Sequence, residues 1–260
     1  MGLAVLSESN MEYASAMVIP RLPLNLSNWQ HYFNIDNEGD TPLMMSIILG
    51  DERGAVFIID VAKGNNCIDL LDVQNRTYRQ SALHLAVICN MTSVAKALIL
   101  AGVDLTLKDR NGNTALHTAC QNCTRYHNHW SGCICRDTLQ VISYKYGIST
   151  CKELAGLYNY SGNDCLHLAV ASNNVCAIDY LLVCLCIDVN SQERMNGKTV
   201  LHKVVHEKNI FLLVYLLQCA KGWDINAKTW DGHTPIKLAI LNKSYFITKL
   251  LFLHFIKKVL

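Results

Sequence analysis

Asn111-Gly112-Asn113-Thr114-Ala115-Leu116-His117 is the stretch from which the rest of the chain can be read. Glycine permits the left-handed turn, and the threonine oxygen can accept from an otherwise unpaired N–H in the first turn of a helix. An apolar pair and a histidine then begin that helix. Close variants stand at Thr41-Pro42-Leu43-Met44, Ser81-Ala82-Leu83-His84, Asp164-Cys165-Leu166-His167, Thr199-Val200-Leu201-His202 and Thr234-Pro235-Ile236-Lys237. A glycine lies two residues ahead of the phrase in five of the six, at Gly39, Gly112, Gly162, Gly197 and Gly232. Successive phrases begin 40, 33, 50, 35 and 35 residues apart.

A period of about 33 residues around a T-P-L-H-x-A core is the ankyrin pattern. It predicts an all-α fold, an ankyrin-repeat solenoid of six helix-turn-helix repeats joined by β-hairpin tips. The repeats are placed at 37–66, 78–107, 111–147, 160–190, 196–226 and 231–260, within a repeat domain of 31–260 that follows an N-terminal extension of 1–30. Ser46, Ala86, Ala119, Ala169, Val204 and Ala239 are small, as close approach of neighbouring first helices requires. No such repeat buries its apolar face alone. His84, His117, His167 and His202 recur at one position, where an imidazole can bridge backbone groups of adjacent tips. Met44 and Lys237 replace them in the end repeats. Gly64, Gly102, Gly147 and Gly222 are expected to end second helices, with Cys186 in the left-handed place in repeat 4 at a cost of roughly 1 kcal/mol.

Composition narrows the function. The 260 residues are 51% apolar with a net charge of +2, which argues against a direct nucleic-acid binder. The most apolar run, Tyr245 to Leu260, is interrupted by Lys249, Lys257 and Lys258, so no membrane span is expected. Met1 to Leu6 has neither a secretory n-region nor a myristoylation pattern. Twelve cysteines are scattered through repeat positions, as reduced cytosolic thiols would be. No phosphate-loop, zinc-protease or nucleophile-elbow motif occurs, so neither a catalytic residue nor a small-molecule substrate is assigned. Cys120, Cys123, His127, His129, Cys133 and Cys135 offer atoms suited to zinc. Cys133-x-Cys135 is tighter than a usual knuckle, however, and a polar insertion of roughly ten residues is the expectation. No metal or other cofactor is assigned.

Longer stretches carry a narrower resemblance. Leu71-Asp72-Val73-Gln74-Asn75, Gln80 through Val87, Ala101-Gly102-Val103-Asp104, Asp109 through His117, Tyr158 through Gly162 with Cys165 through Ala169, and Asp188 through Glu193 with Asn196 through Thr199 resemble the inhibitors of NF-κB, including insect Cactus. The resemblance covers roughly residues 36 to 240. It implies a protein that grips a Rel/NF-κB dimer, masks its nuclear localisation segment with the first repeats and presents later tips to its dimerisation domain. Residues 31–75 hold eight acids (Asp36, Glu38, Asp40, Asp51, Glu52, Asp60, Asp69 and Asp72) against Arg53 and Lys63. Such a surface steers a basic peptide, although solvated tips alone would also explain it. Asn75, Arg110, Asn111, Tyr160, Glu193, Arg194, Trp230 and Asp231 complete the expected contact set. Tyr160 and Trp230 are the strongest candidates, either as partner contacts or as packing on the adjacent tip.

The ends depart from the signal-responsive members of that family. Ser7-Glu8-Ser9 is the nearest approach to an Asp-Ser-Gly-x-x-Ser phosphodegron, and Asn242 to Leu260 holds four lysines and no acid where an acidic tail would stand. The expectation is an inhibitor resistant to signal-induced degradation that suppresses NF-κB-dependent immune transcription. It would be cytoplasmic, with a nuclear pool also allowed. In this respect the chain resembles the polydnaviral ankyrin proteins (vankyrins) and equally a shortened Cactus paralogue. A scaffold or adaptor for another protein, or a metal-responsive binder, is the alternative.

Overall fold

The computed structural model describes residues 26–122, 133–219 and 222–259. Their α-helices form six pairs: α1 (Pro42–Ile48) and α2 (Glu52–Gly64), α3 (Ala82–Ile88) and α4 (Thr92–Ala101), α5 (Ala115–Gln121) and α6 (Ile134–Ala155), α7 (Cys165–Ala171) and α8 (Val175–Asp179), α9 (Val200–His206) and α10 (Ile210–Cys219), and α11 (Pro235–Leu241) and α12 (Tyr245–Val259). Each first helix has only seven residues. Isolated helices this short are not stable in water, so stacking must hold them. First helices pack in the row α1, α3, α5, α7, α9, α11. The six small residues named above are all fully buried along that row.

Caps begin these helices as the phrase predicts. Thr41, Thr114, Asp164 and Thr234 accept from the backbone N–H three residues on. Ser81 and Thr199 complete capping boxes with His84 and His202.

The turn from first to second helix shows a regularity not visible in the phrase. Gly50, Asn90, Asn173, Lys208 and Lys243 all have φ between +54° and +75°. Asp51, Asn174 and Asn209 follow three of them and cap the second helix from the side chain.

Two expectations are corrected. Among the described residues the tips form no strand, and a single isolated bridge joins Gln74 to Ser81. Their arms are too short for a ladder: the repeat 3 tip closes with Asp109 N–H to Asn113 O (2.8 Å) and Gly112 N–H to Asp109 O (2.9 Å). Gly64 is the last residue of α2 and is not left-handed, and Asn66 at φ +55° takes that place, whereas Gly102, Gly222 and Cys186 do so as expected. Gly147, at φ +88° and ψ 161°, breaks the helix as expected, and a further helical stretch after it buries Cys151, Leu154 and Ala155. The 50-residue interval thus includes a helical addition after Gly147 as well as the insert. The insert itself, residues 123–132, lies outside the described residues, as does most of the N-terminal extension.

Leu26–Phe33 forms a 3-10 helix packed on α1, across the expected boundary at residue 30. The Tyr32 ring meets Phe57 edge-on at 5.5 Å, so this segment covers the open side of repeat 1.

Candidate partner-binding surface

Each tip is braced by a polar side chain at its start. Asp36 Oδ1 accepts from Asp40 N (2.8 Å), Asn75 Oδ1 from Gln80 N (2.9 Å), and Asn159 Oδ1 from Asn163 N (2.9 Å). Asp109 Oδ1 accepts from both Asn111 N and Asn113 N at 2.8 Å, and Thr229 Oγ1 from His233 N at 3.1 Å. Neighbouring tips are then joined by the backbone. The N–H groups of Arg76, Arg110, Tyr160, Arg194 and Trp230 donate to the carbonyls of Glu38, Tyr78, Asn111, Gly162 and Asn196 at 2.8–3.1 Å.

The recurrent histidines tie this row to the first helices. Nδ1 of His84, His117 and His202 lies 2.8–2.9 Å from the hydroxyl of Ser81, Thr114 and Thr199. Nε2 lies 2.9–3.0 Å from the carbonyls of Asn113, Leu157 and His233. A carbonyl only accepts, so Nε2 carries the proton and Nδ1 accepts. Burial disfavours the charged ring and holds all three below the ordinary histidine value, against the raising effect of those carbonyls. In repeat 4 Asp164 replaces the hydroxyl, with Oδ1 2.7 Å from His167 Nδ1 and Oδ2 accepting from Ser191 Oγ at 2.6 Å. Burial pushes the Asp164 carboxyl up, but its bonds to His167 and Ser191 and the charge of His167 prevail and hold it below the usual range.

Arg110, Asn111, Tyr160, Arg194, Trp230 and Asp231 are exposed on this row. The two large aromatics each rest on the glycine of the preceding tip. A Cβ on Gly112 would lie 2.5 Å from Tyr160 Cγ, and one on Gly197 would lie 2.5 Å from Trp230 Cδ1. Tyr160 and Trp230 nevertheless remain 62% and 66% exposed, so one face packs on its neighbour and the other is open. Arg194 crosses Gly162 in the same way and lays its guanidinium over Tyr158, 4.3 Å from the ring centroid.

Asn75 and Glu193 are turned inward. Asn75 is 7% exposed and donates to Asp40 Oδ1 (3.1 Å), while Glu193 is 6% exposed and takes Asn196 Nδ2 (3.1 Å) and Lys203 (3.8 Å). Both brace tips from within. Conversely, Tyr78 and Arg76 are exposed in the repeat 2 tip beside these contacts. That tip is one residue longer than the Asp109–Thr114 tip, and Arg79 at φ +54° stands where five repeats have glycine, which hides the equivalence of Tyr78 to Asn111.

The acids divide into two groups. Asp36, Glu38 and Asp40 belong to the first tip, whereas Asp51 and Glu52 lie beyond α1, a helix of about 10 Å. Asp36, Glu38, Asp51 and Glu52 are exposed, and Asp40 is half-buried. Burial raises the Asp40 carboxyl, Asn75 opposes this, and the charges of Asp36 and Glu38 raise it further.

The sequence comparisons agree with a solenoid of stacked repeats. Residues 57–133 and 166–259 match the model of ankyrin repeats in three copies. The chain belongs to the ankyrin-repeat family. This ankyrin-repeat chain is 35% identical to NF-kappa-B inhibitor alpha of Sus scrofa over 171 residues, 66% of this chain and 49% of that protein. It is 34% identical to human NF-kappa-B inhibitor epsilon over 186 residues, 69% of this chain and 35% of the other. It therefore spans about half or less of the length of these relatives. Among solved structures, the ankyrin repeat domain of Bcl-3, described as a member of the IkappaB protein family, superposes with a TM-score of 0.70 at 26% identity, covering 84% of this chain and 87% of that one. Over its repeats the chain is thus similar to NF-κB inhibitors. Among the described residues no helix is long and apolar enough to cross a membrane.

Proposed function

We propose that this ankyrin-repeat protein binds a Rel/NF-κB dimer along its tip row, masks the nuclear localisation segment with repeat 1 and suppresses NF-κB-dependent immune transcription from the cytoplasm. The observation that carries the reading is the 34–35% identity to NF-kappa-B inhibitors across the repeats that form this row. Charge supports the masking step. Asp40 is held near two like charges, and a cationic peptide laid across Asp36 and Glu38 would relieve that repulsion. The partner is a protein dimer, with no direct role for nucleic acid, membrane or small molecule. The 260 residues contain no Asp-Ser-Gly run, so a chain of these residues resists signal-induced degradation through that signal.

The test is co-purification with a Rel dimer, together with the position of a fluorescent Rel subunit in stimulated cells expressing this chain. Stoichiometric capture and cytoplasmic retention are expected. Absence of capture would overturn the proposal and favour an adaptor for a different protein.

A further inference from the structure

Cys120 and Cys135 face each other across the two helices of repeat 3, with their sulfurs 3.9 Å apart and both side chains fully buried. Cys165 also reaches the Cys120 thiol, and Cys133 reaches those of Cys135 and Cys176. Five thiols thus form one connected chain inside repeats 3 and 4, and none has a place in the binding surface. No group of three among the described residues could hold a metal, so the cluster is not a zinc site built from those residues. A disulfide requires sulfurs about 2.05 Å apart, so oxidation must draw the Cys120 and Cys135 sulfurs together from 3.9 Å.

Cys133 is the route inward. It is the N-cap residue of α6 and retains 6% exposure, whereas Cys120, Cys135 and Cys165 have none. The hydrogen bond from Cys135, with the backbone N–H groups of Arg136 and Cys135, outweighs burial and pulls the Cys133 thiol down to about 6. A thiolate at a helix N-terminus beside a second thiol has the chemistry of a peroxide-reactive cysteine with a resolving partner.

We infer that repeat 3 carries a hydroperoxide-responsive dithiol, in which Cys133 reacts first and the disulfide settles between Cys120 and Cys135. Cys133 thiolate attacks one peroxide oxygen, giving a sulfenic acid and an alcohol, or water when the oxidant is hydrogen peroxide. The Cys135 thiol then attacks the sulfenic sulfur, giving up its proton to the departing hydroxide, so that the Cys133–Cys135 disulfide forms and water leaves. Cys120 exchanges onto the Cys135 sulfur and releases Cys133. The sum is two thiols and one hydroperoxide giving one disulfide, one alcohol and one water. The product fastens α5 to the start of α6.

The whole chain is treated with hydrogen peroxide, alkylated and digested with trypsin, which cuts after Arg110, Arg125 and Arg136. Peptides 111–125 and 126–136 should appear linked, with fragmentation placing the bond at Cys120 and Cys135. Cys133→Ser should slow linkage at least tenfold without changing the Tm of the reduced protein, and Cys135→Ser should abolish this bond. Oxidised wild-type protein should melt at a higher temperature, because the bond closes a loop in the unfolded chain. No linked peptides in the wild type, linkage through Cys123, or an unchanged rate in a folded Cys133→Ser protein would each overturn the inference.

Discussion

Glycine at the tips serves two physical needs, and substitution can separate them. Gly112 has φ +77°, and any Cβ there would also strike the Tyr160 ring and backbone, whereas Gly50 has φ +75° with nothing within 4 Å. Gly50→Ala should therefore cost only the left-handed penalty, about 1 kcal/mol. Gly112→Ala adds overpacking and should cost about 3 kcal/mol. Urea denaturation of the two variants would show the difference, and equal losses would mean that Tyr160 does not rest on that glycine. Both glycines stand plainly in the sequence. What was not legible is which of them touches an aromatic, because that depends on the register between neighbouring repeats. Inward-turned Asn75 and Glu193 escaped for the same reason: tip residues of either orientation are equally polar on paper.

At the scale of the element, the first helix of each repeat is a seven-residue unit made stable by its cap and its neighbour, and in repeats 2 to 5 by its histidine. His84, His117 and His202 are held neutral by burial, while the unfolded chain takes up protons near the ordinary value of about 6.5. Below that pH the unfolded state binds more protons, so stability falls with acidification toward the depressed folded values. Asp164, with its lowered pKa, contributes stability that is present above the ordinary carboxylate value and is lost only as pH falls through its lower folded value. The loss between pH 6.5 and 5.5 therefore belongs to the histidines together with Cys133, whose thiol is pulled down to about 6. Denaturation at pH 7.5 and 5.5 should give the lower stability at the acidic value, and His84→Gln with His202→Gln should flatten the slope. A flat wild-type profile would contradict this assignment. The helix starts were readable because caps and periodicity agree. The helical stretch after Gly147 was not legible, since the glycine marks only where the helix breaks and the buried side chains that hold the stretch, Cys151, Leu154 and Ala155, carry no repeat phrase.

Across the whole molecule, charge changes along the tip edge, from Asp36 and Glu38 in repeat 1 through Arg76, Arg79, Arg110 and Arg194 to Asp231 in repeat 6. Glu38→Lys should slow association with a Rel dimer several-fold, by an amount that shrinks as salt shortens the Debye length below about 8 Å. Glu52→Lys, beyond the length of α1, should have a weaker effect. Stopped-flow rates at two ionic strengths test both, and equal effects would place the cationic segment elsewhere. In stimulated cells a chain of these 260 residues should outlast a signal-responsive inhibitor, and rapid stimulus-dependent loss would reveal another degradation signal. The fold could be read from six recurrent phrases, but the partner could not, since the phrases encode stacking and only the exposed tip positions encode recognition. The most direct measurement is therefore equilibrium binding of a Rel dimer to the wild type, to Tyr160→Ser/Trp230→Ser on the tips, and to Phe211→Ser/Phe246→Ser on the exposed starts of α10 and α12. Loss of at least tenfold in affinity for the tip variant alone is the predicted result. Undiminished binding by the tip variant, or greater loss from the Phe211 and Phe246 substitutions, would contradict the account.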